Sequence, residues 1–195
     1  MKKIIIASLN TGKVEEIKTL FSDLPFQLLS ICEIGLKIDV VEDGPDFSSN
    51  SLKKAKEVSE YTGEITLADD SGLVVYALDG KPGVCSARFA GEDATDNENN
   101  RKLLMAMEGI ETPNRVAYFS CVVSLYYPNG HFVQTEGTCH GRIGTQPKGT
   151  HGFGYDPLFI PNTYDKTMAE LSVVEKNAVS HRNQALMALK DILGQ

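Results

Sequence analysis

A chain of 195 residues, 42% hydrophobic and 23% charged, is long enough to bury about 70% of its unfolded surface, which excludes a disulfide-stapled miniprotein or a disordered segment. Its formal charge of −7 argues against a broad nucleic-acid surface, although a few clustered lysines still create a local positive field for a small anion. Cys32, Cys85, Cys121 and Cys139 follow no CxxC or zinc-ligand spacing and are expected to be buried free thiols in a reducing cytoplasm, and no stretch is apolar for long enough to span a membrane.

The opening MKKIIIASLN imitates a signal peptide, but its apolar run stops at Leu9 before Asn10, Thr11, Gly12 and Lys13, so a first strand over 3–8 is expected instead. A helix over 12–21 follows, with Val14, Ile17, Leu20 and Phe21 on one face. Short strands are expected at Phe26–Leu29 and Leu36–Val41, then a turn at Gly44–Pro45. Ser48–Tyr61 has helical spacing, with Leu52, Ala55, Val58 and Ser59 sharing a face. The next strand, 65–69, carries Asp69 and Asp70 at its end and resumes after Gly72. Residues 78–91 have the glycine and turn formers of an ordered loop, and 95-TDNE-98 is a capping box opening a helix that should end at Gly109. Two β-rich arms, 115–127 and 131–143, flank the turn 128-PNG-130 as a hairpin. A glycine-rich loop through 149–157 precedes a strand at Leu158–Ile160. The capping box 172-SVVE-175 and a terminal helix over 180–193, with a stripe of Leu186, Leu189, Ile192 and Leu193, complete a mixed α/β pattern expected to form one domain over 1–195.

Four constellations hold chemistry. The turn 8-SLNTGK-13 joins a strand to a helix, whose N-terminal N–H groups and dipole favour phosphate; read alone, it fits an ordinary βα turn with a solvated lysine better than a phosphate site. Glu42 with one of Asp69 and Asp70 suits magnesium, which takes few carboxylates plus water and phosphate oxygens; the alternative is a turn cap at Ser71–Gly72. Neighbouring strand residues face opposite sides, so the two aspartates form no dyad unless the backbone breaks between them. In 152-GFGYDP-157 the glycines admit a flat ligand, Phe153 or Tyr155 can stack on it and Asp156 can accept from it; a core-packing turn has the same composition. The segment 176-KNAVSHR-182 ends with Lys176, His181 and Arg182 near a helix start, where Arg182 can donate to a carbonyl or stack on a base.

Taken in order, 8-SLNTGK-13 with Glu16, 42-EDGPDFSSNSLKKA-55, 68-ADDSGLVVYALDGKPGVCSARFAG-91, 152-GFGYDP-157 and 175-EKNAVSHRNQA-185 resemble the Ham1-like family of inosine and xanthosine triphosphate pyrophosphatases. The resemblance implies an elongated mixed sheet flanked by helices, two lobes with a central cleft, and usually a homodimer. It implies magnesium-dependent hydrolysis of a purine nucleoside triphosphate to the monophosphate and pyrophosphate. Carried over by residue, it implies that the turn Ser8, Leu9, Asn10, Thr11, Gly12 and Lys13 holds the triphosphate with help from Lys54. Glu42 and Asp70 would bind Mg2+, with Asp70 the proton acceptor at the strand break. Ser71, Phe153, Gly154, Tyr155, Asp156, Lys176, His181 and Arg182 would line the substrate site, the last six nearest the base.

The chain departs from the family pattern at 49-SNS-51, where Glu-Asn-Ala is usual, and at Leu9 and His151, which replace smaller residues. The missing carboxylate keeps a different reading in view, a nucleotide-binding regulatory module without turnover. A Maf-like pyrophosphatase is the sister alternative; GFGYDP and SHR argue against it.

Overall fold

A computed structural model describes residues 2–38 and 40–194. Six strands form one mixed sheet: β1 (Lys2–Ile6), β2 (Phe26–Ser30), β3 (Ile65–Val75), β4 (Val116–Tyr126), β5 (Phe132–Ile143) and β6 (Phe159–Pro161). Their order across the sheet is β2-β1-β3-β4-β5-β6, with β1 parallel to both β2 and β3 and β5 antiparallel to β6. The helices are α1 (Thr11–Leu20), α2 (Phe47–Thr62), α3 (Asp96–Ala106), α4 (Val173–Val179) and α5 (His181–Leu193). The chain divides into two compact units, one of residues 1–70, 121–137 and 184–195, the other of 71–120 and 138–183.

In the first unit the sheet is covered on both faces, and the period-two alternation of its strands assigns each side chain. Ile4, Ile6 and Leu67 pack with Ile17 of α1 and Ala185, Leu186 and Leu189 of α5, whereas Ile5, Ala7 and Ala68 pack with Ala55 and Val58 of α2. Each fully buried leucine of this kind contributes about 1.5–3 kcal/mol of burial free energy. In the second unit Leu73, Val75, Ala117, Phe119, Cys139, Ile143 and Phe159 form the strand side of a core closed by Leu103 of α3 and Met107 at its C-cap.

Helix starts follow the expected capping chemistry. Thr95 with Glu98 and Ser172 with Glu175 form complete capping boxes, and Asp46 with Ser49 forms another at α2. Segment 78–91 is an ordered connection with a 3-10 turn at Gly83–Arg88.

Four expectations need correction. Leu36–Val41 is not a strand among its described residues, and Asp39 lies outside them. Leu36, Ile38 and Val40 do pack against the Ile5–Val58 core, so the alternation reported a buried face without a hydrogen-bonding neighbour. β3 does not break at Asp70–Ser71; it runs unbroken for 11 residues as an inner strand of the sheet, past the point where its pairing with β1 ends at Leu67. The third helix stops at Ala106 rather than Gly109, with Met107 as its cap. In α5 the buried stripe is Ala185, Leu186 and Leu189, and Ile192 is exposed.

Candidate active site

The turn after β1 is held by its own polar atoms. Asn10 caps α1, its Oδ1 accepting from the Lys13 amide at 3.1 Å, while Ser8 Oγ accepts from the Asn10 amide at 3.2 Å. Leu9, between them, is exposed and packs into no core. The Lys13 ammonium lies 2.8 Å from Asp69 Oδ2, a carboxylate that is only 2% exposed.

Asp69 and Asp70 occupy opposite faces of β3. Asp69 projects to the α1 side, where Cys121 Sγ of β4 also approaches it at 3.9 Å. Asp70 projects to the α2 side and accepts from Asn50 Nδ2 at 3.1 Å. Asn50 is fully buried, and its Oδ1 accepts from the Gly44 amide at 2.7 Å. A Cβ on Gly44 would fall 2.6 Å from Asn50 Oδ1 and from Ser49 Oγ, so only glycine lets the 42–44 segment lie against the start of α2. That approach carries Glu42 to Lys54, with which it forms an ion pair.

The electrostatics of this group are unbalanced toward negative charge. Burial first, and then Glu42, push the Asp70 carboxyl up to about 6, against the opposing pull of Lys54, Asn50 and Lys13. For Lys54, burial pulls the ammonium down, but Asp69, Glu42 and Asp70 together outweigh it and hold the group above its ordinary value. Two carboxylates that repel one another in a buried setting are the donor set a divalent cation relieves. Among the described residues no three His, Cys, Asp or Glu side chains converge as a cage, so Glu42 and Asp70 fit a metal that keeps water and substrate oxygens as its other ligands.

In the second unit, Phe153 is the exposed ring of the GFGYDP loop. Lys176 Nζ sits 5.1 Å and Arg182 Cζ 5.5 Å from its centroid. Asp156 accepts from the Phe153 amide at 3.0 Å and from Lys176 Nζ at 2.6 Å. A Cβ on Gly152 would lie 2.0 Å from Asp156 Oδ2, and its φ of +83° is a conformation that glycine adopts freely. Arg182 is buried and donates from Nη2 to Ser71 Oγ at 3.2 Å. The His181 ring lies parallel to Phe119 at 4.8 Å. The Tyr155 ring belongs to the core and its hydroxyl donates to the Ser86 carbonyl at 2.8 Å; burial, then Asp96, pushes that phenol well above its ordinary value.

Within the first unit the fold therefore gathers Lys13, Glu42, Lys54 and Asp70, and within the second it gathers Ser71, Phe153, Asp156, Lys176 and Arg182. The sequence does not identify Asn50 as a partner of Asp70; it shows an amide side chain within an amphipathic helix that matches the asparagine of the family's Glu-Asn-Ala. Ser49, standing where a glutamate was expected, serves at the third position of the α2 capping box.

Such features define a class, an α/β protein equipped with a cation-hungry acid pair, lysines and a basic aromatic loop. The Ham1 family model matches residues 4–192. The chain is 50% identical over 194 residues to a Geobacter sulfurreducens protein named dITP/XTP pyrophosphatase, covering 100% of this chain and 98% of that one. A Bacillus licheniformis protein of the same name is 45% identical over 195 residues, with 100% of both chains covered. The HAM1 protein of Coxiella burnetii superposes with a TM-score of 0.93 at 40% identity, covering 100% of this chain and 99% of that one. The Ham1 protein of Staphylococcus aureus does so at 0.91 and 39%, covering 99% and 98%. The chain belongs to the Ham1 family.

Proposed function

We propose that this protein is a pyrophosphatase of non-standard purine nucleoside triphosphates, ITP, dITP and XTP, whose base amine has been replaced by oxygen. The observation that carries the reading is Asp70, a buried carboxylate held by Asn50 and raised to about 6 beside Glu42 and Lys54. In this reading Asp70 takes the proton of a water whose oxygen attacks the α-phosphorus; the bond to the β-phosphate breaks, and pyrophosphate leaves as the monophosphate forms. Ser8, Asn10, Lys13 and the backbone of Leu9, Thr11 and Gly12 bind phosphate oxygens, with Lys54 neutralising further charge. Glu42 and Asp70 hold Mg2+, which when bound supplies Lewis-acid neutralisation of the polyphosphate.

The residues of the second unit read the base. Phe153 offers a stacking face with Lys176 and Arg182 beside it, and Ser71, Gly154, Tyr155 and His181 contribute, Tyr155 through its backbone. A 6-oxo base with an N1–H matches a donor such as Arg182 and an acceptor such as Asp156, whereas the 6-amino group of adenine would set donor against donor. The whole chain acts as one catalytic domain. It works in the cytoplasm, where free thiols persist, Cys32 and Cys85 being exposed rather than buried as the sequence suggested, and as a homodimer in keeping with the family resemblance.

Purified protein incubated with magnesium and ITP, dITP, XTP, GTP or ATP, with products resolved, tests the reading. Pyrophosphate from the first three with little from ATP supports it; orthophosphate as the product, or equal use of ATP, overturns it. Sedimentation at several protein concentrations tests the homodimer.

A further inference from the structure

The backbone next to the exposed Phe153 ring is held by a helix that carries none of the residues assigned to the substrate. Asp96, in the first turn of α3, accepts from the Gly154 amide at 2.6 Å through Oδ2. One helical turn later Asn100 donates from Nδ2 to the Gly154 carbonyl at 2.8 Å. Both polar groups of one loop residue are thus clamped by an i, i+4 pair on a rigid element. Asn100 is buried and its Oδ1 has no partner among the described residues, so its hydrogen bonding is committed to Gly154. The amides on either side of the Phe153 carbonyl group and ring are consequently both bound to carboxylates, that of Phe153 to Asp156 and that of Gly154 to Asp96.

We propose that Asp96, seconded by Asn100, is a positioning residue for base recognition: it fixes the Phe153–Gly154 peptide so that the Phe153 ring is presented to the purine in one orientation. The inference rests on the base-reading role proposed for this loop. A glycine-rich loop with an exposed aromatic tip loses conformational entropy when it binds a flat ligand, and a preformed clamp removes that cost before binding. The effect belongs to affinity for the base, because the Asp96 carboxylate bonds to Gly154, in the loop proposed to read the base.

Asp96 also carries negative charge at the N-terminus of α3, and two variants separate the roles. Asp96→Asn and Asp96→Ala both remove the charge, but only asparagine keeps an oxygen to accept from Gly154. Steady-state kinetics on ITP should show KM raised about tenfold in Asp96→Ala with kcat within about twofold, and KM near wild type in Asp96→Asn. Inhibition by inorganic tripolyphosphate, which has no base, should be unchanged in both. Equal KM in the two variants, whether shifted or not, or weakened tripolyphosphate inhibition in Asp96→Ala, overturns the proposal. Melting temperatures that fall alike in both variants report only the lost helix charge. If the wild-type protein does not turn over ITP, the base-reading role fails first and takes this inference with it; if it does and the variants fail to separate, the inference alone falls.

Discussion

Replacing Lys13 with methionine keeps most of the side-chain volume and deletes the cation that faces Asp69 at 2.8 Å. Asp69 is 2% exposed, so water cannot take over from the lysine, whereas the Lys13 side chain is 18% exposed and already partly hydrated. Removing one partner of a buried pair costs about 3–5 kcal/mol, and the partial solvation of Lys13 places this case near about 3. For a chain of this size each kcal/mol lowers Tm by about 2–4 °C, so Lys13→Met should melt about 6–12 °C below wild type. Asp69→Asn leaves a lysine that can turn to solvent and should cost about 1 kcal/mol, hence about 2–4 °C. The double variant removes the buried carboxylate as well and should recover more than half of the Lys13→Met loss. Calorimetry on the four proteins at neutral pH, without phosphate, measures this cycle. Asp69→Asn melting as low as Lys13→Met, or a double variant no better than Lys13→Met, would refute the idea that the cost lies in a buried carboxylate deprived of its nearest cation.

Asp70→Asn preserves an acceptor for Asn50 but removes the proton acceptor, and kcat for pyrophosphate release should fall about 100- to 10,000-fold with a modest change in KM. A variant retaining a tenth of the wild-type rate would remove Asp70 from that role. Thiol alkylation at pH 8 should modify Cys32 and Cys85 and spare Cys121 and Cys139, since the first two are exposed and burial, then Asp156, pushes the Cys139 thiol up to about 11; peptide mapping by mass spectrometry checks it. Glu33 is held down at about 2, first by its hydrogen bond to Lys18 and then by Ser30, from an ordinary value of 4.5. A depressed carboxylate stabilises the fold above its unfolded value and loses that contribution as pH falls through the folded one. Glu33→Gln should therefore melt below wild type at pH 6, with the gap closing between about pH 4.5 and 2; a gap constant over that window contradicts the assignment.

Periodicity and capping chemistry made most elements visible in advance, because both are local. The arms 115–127 and 131–143 alternate β-branched and aromatic residues and became β4 and β5; TDNE and SVVE supplied both halves of their boxes and opened α3 and α4. Elements failed where a neighbour decides. Leu36–Val41 alternates as a strand does, but a strand requires a ladder partner, and none is supplied among its described residues. Two aspartates in an apolar run point to a broken strand, yet β3 continues straight through as an inner strand, with Lys13 and Asn50 receiving the carboxylates. Tyr155 looked as available for stacking as Phe153 until its hydroxyl was found on the Ser86 carbonyl, inside the core.

The sequence by itself determined the mixed α/β pattern, the helix starts, the opposite facing of Asp69 and Asp70, and the family to which the chain belongs. These depend on strand period, on cap residues within four positions of one another, and on motif order along the chain. Only the tertiary structure decided what each charge meets. Lys13 and Asp69 are 56 positions apart, Asn50 and Asp70 are 20 apart, and Asp96 and Gly154 are 58 apart. Local propensity is blind to such separations; the close approach of Gly44 to α2, the unbroken path of β3 and the clamp of α3 on Gly154 arise from packing, which brings together residues that the chain keeps apart.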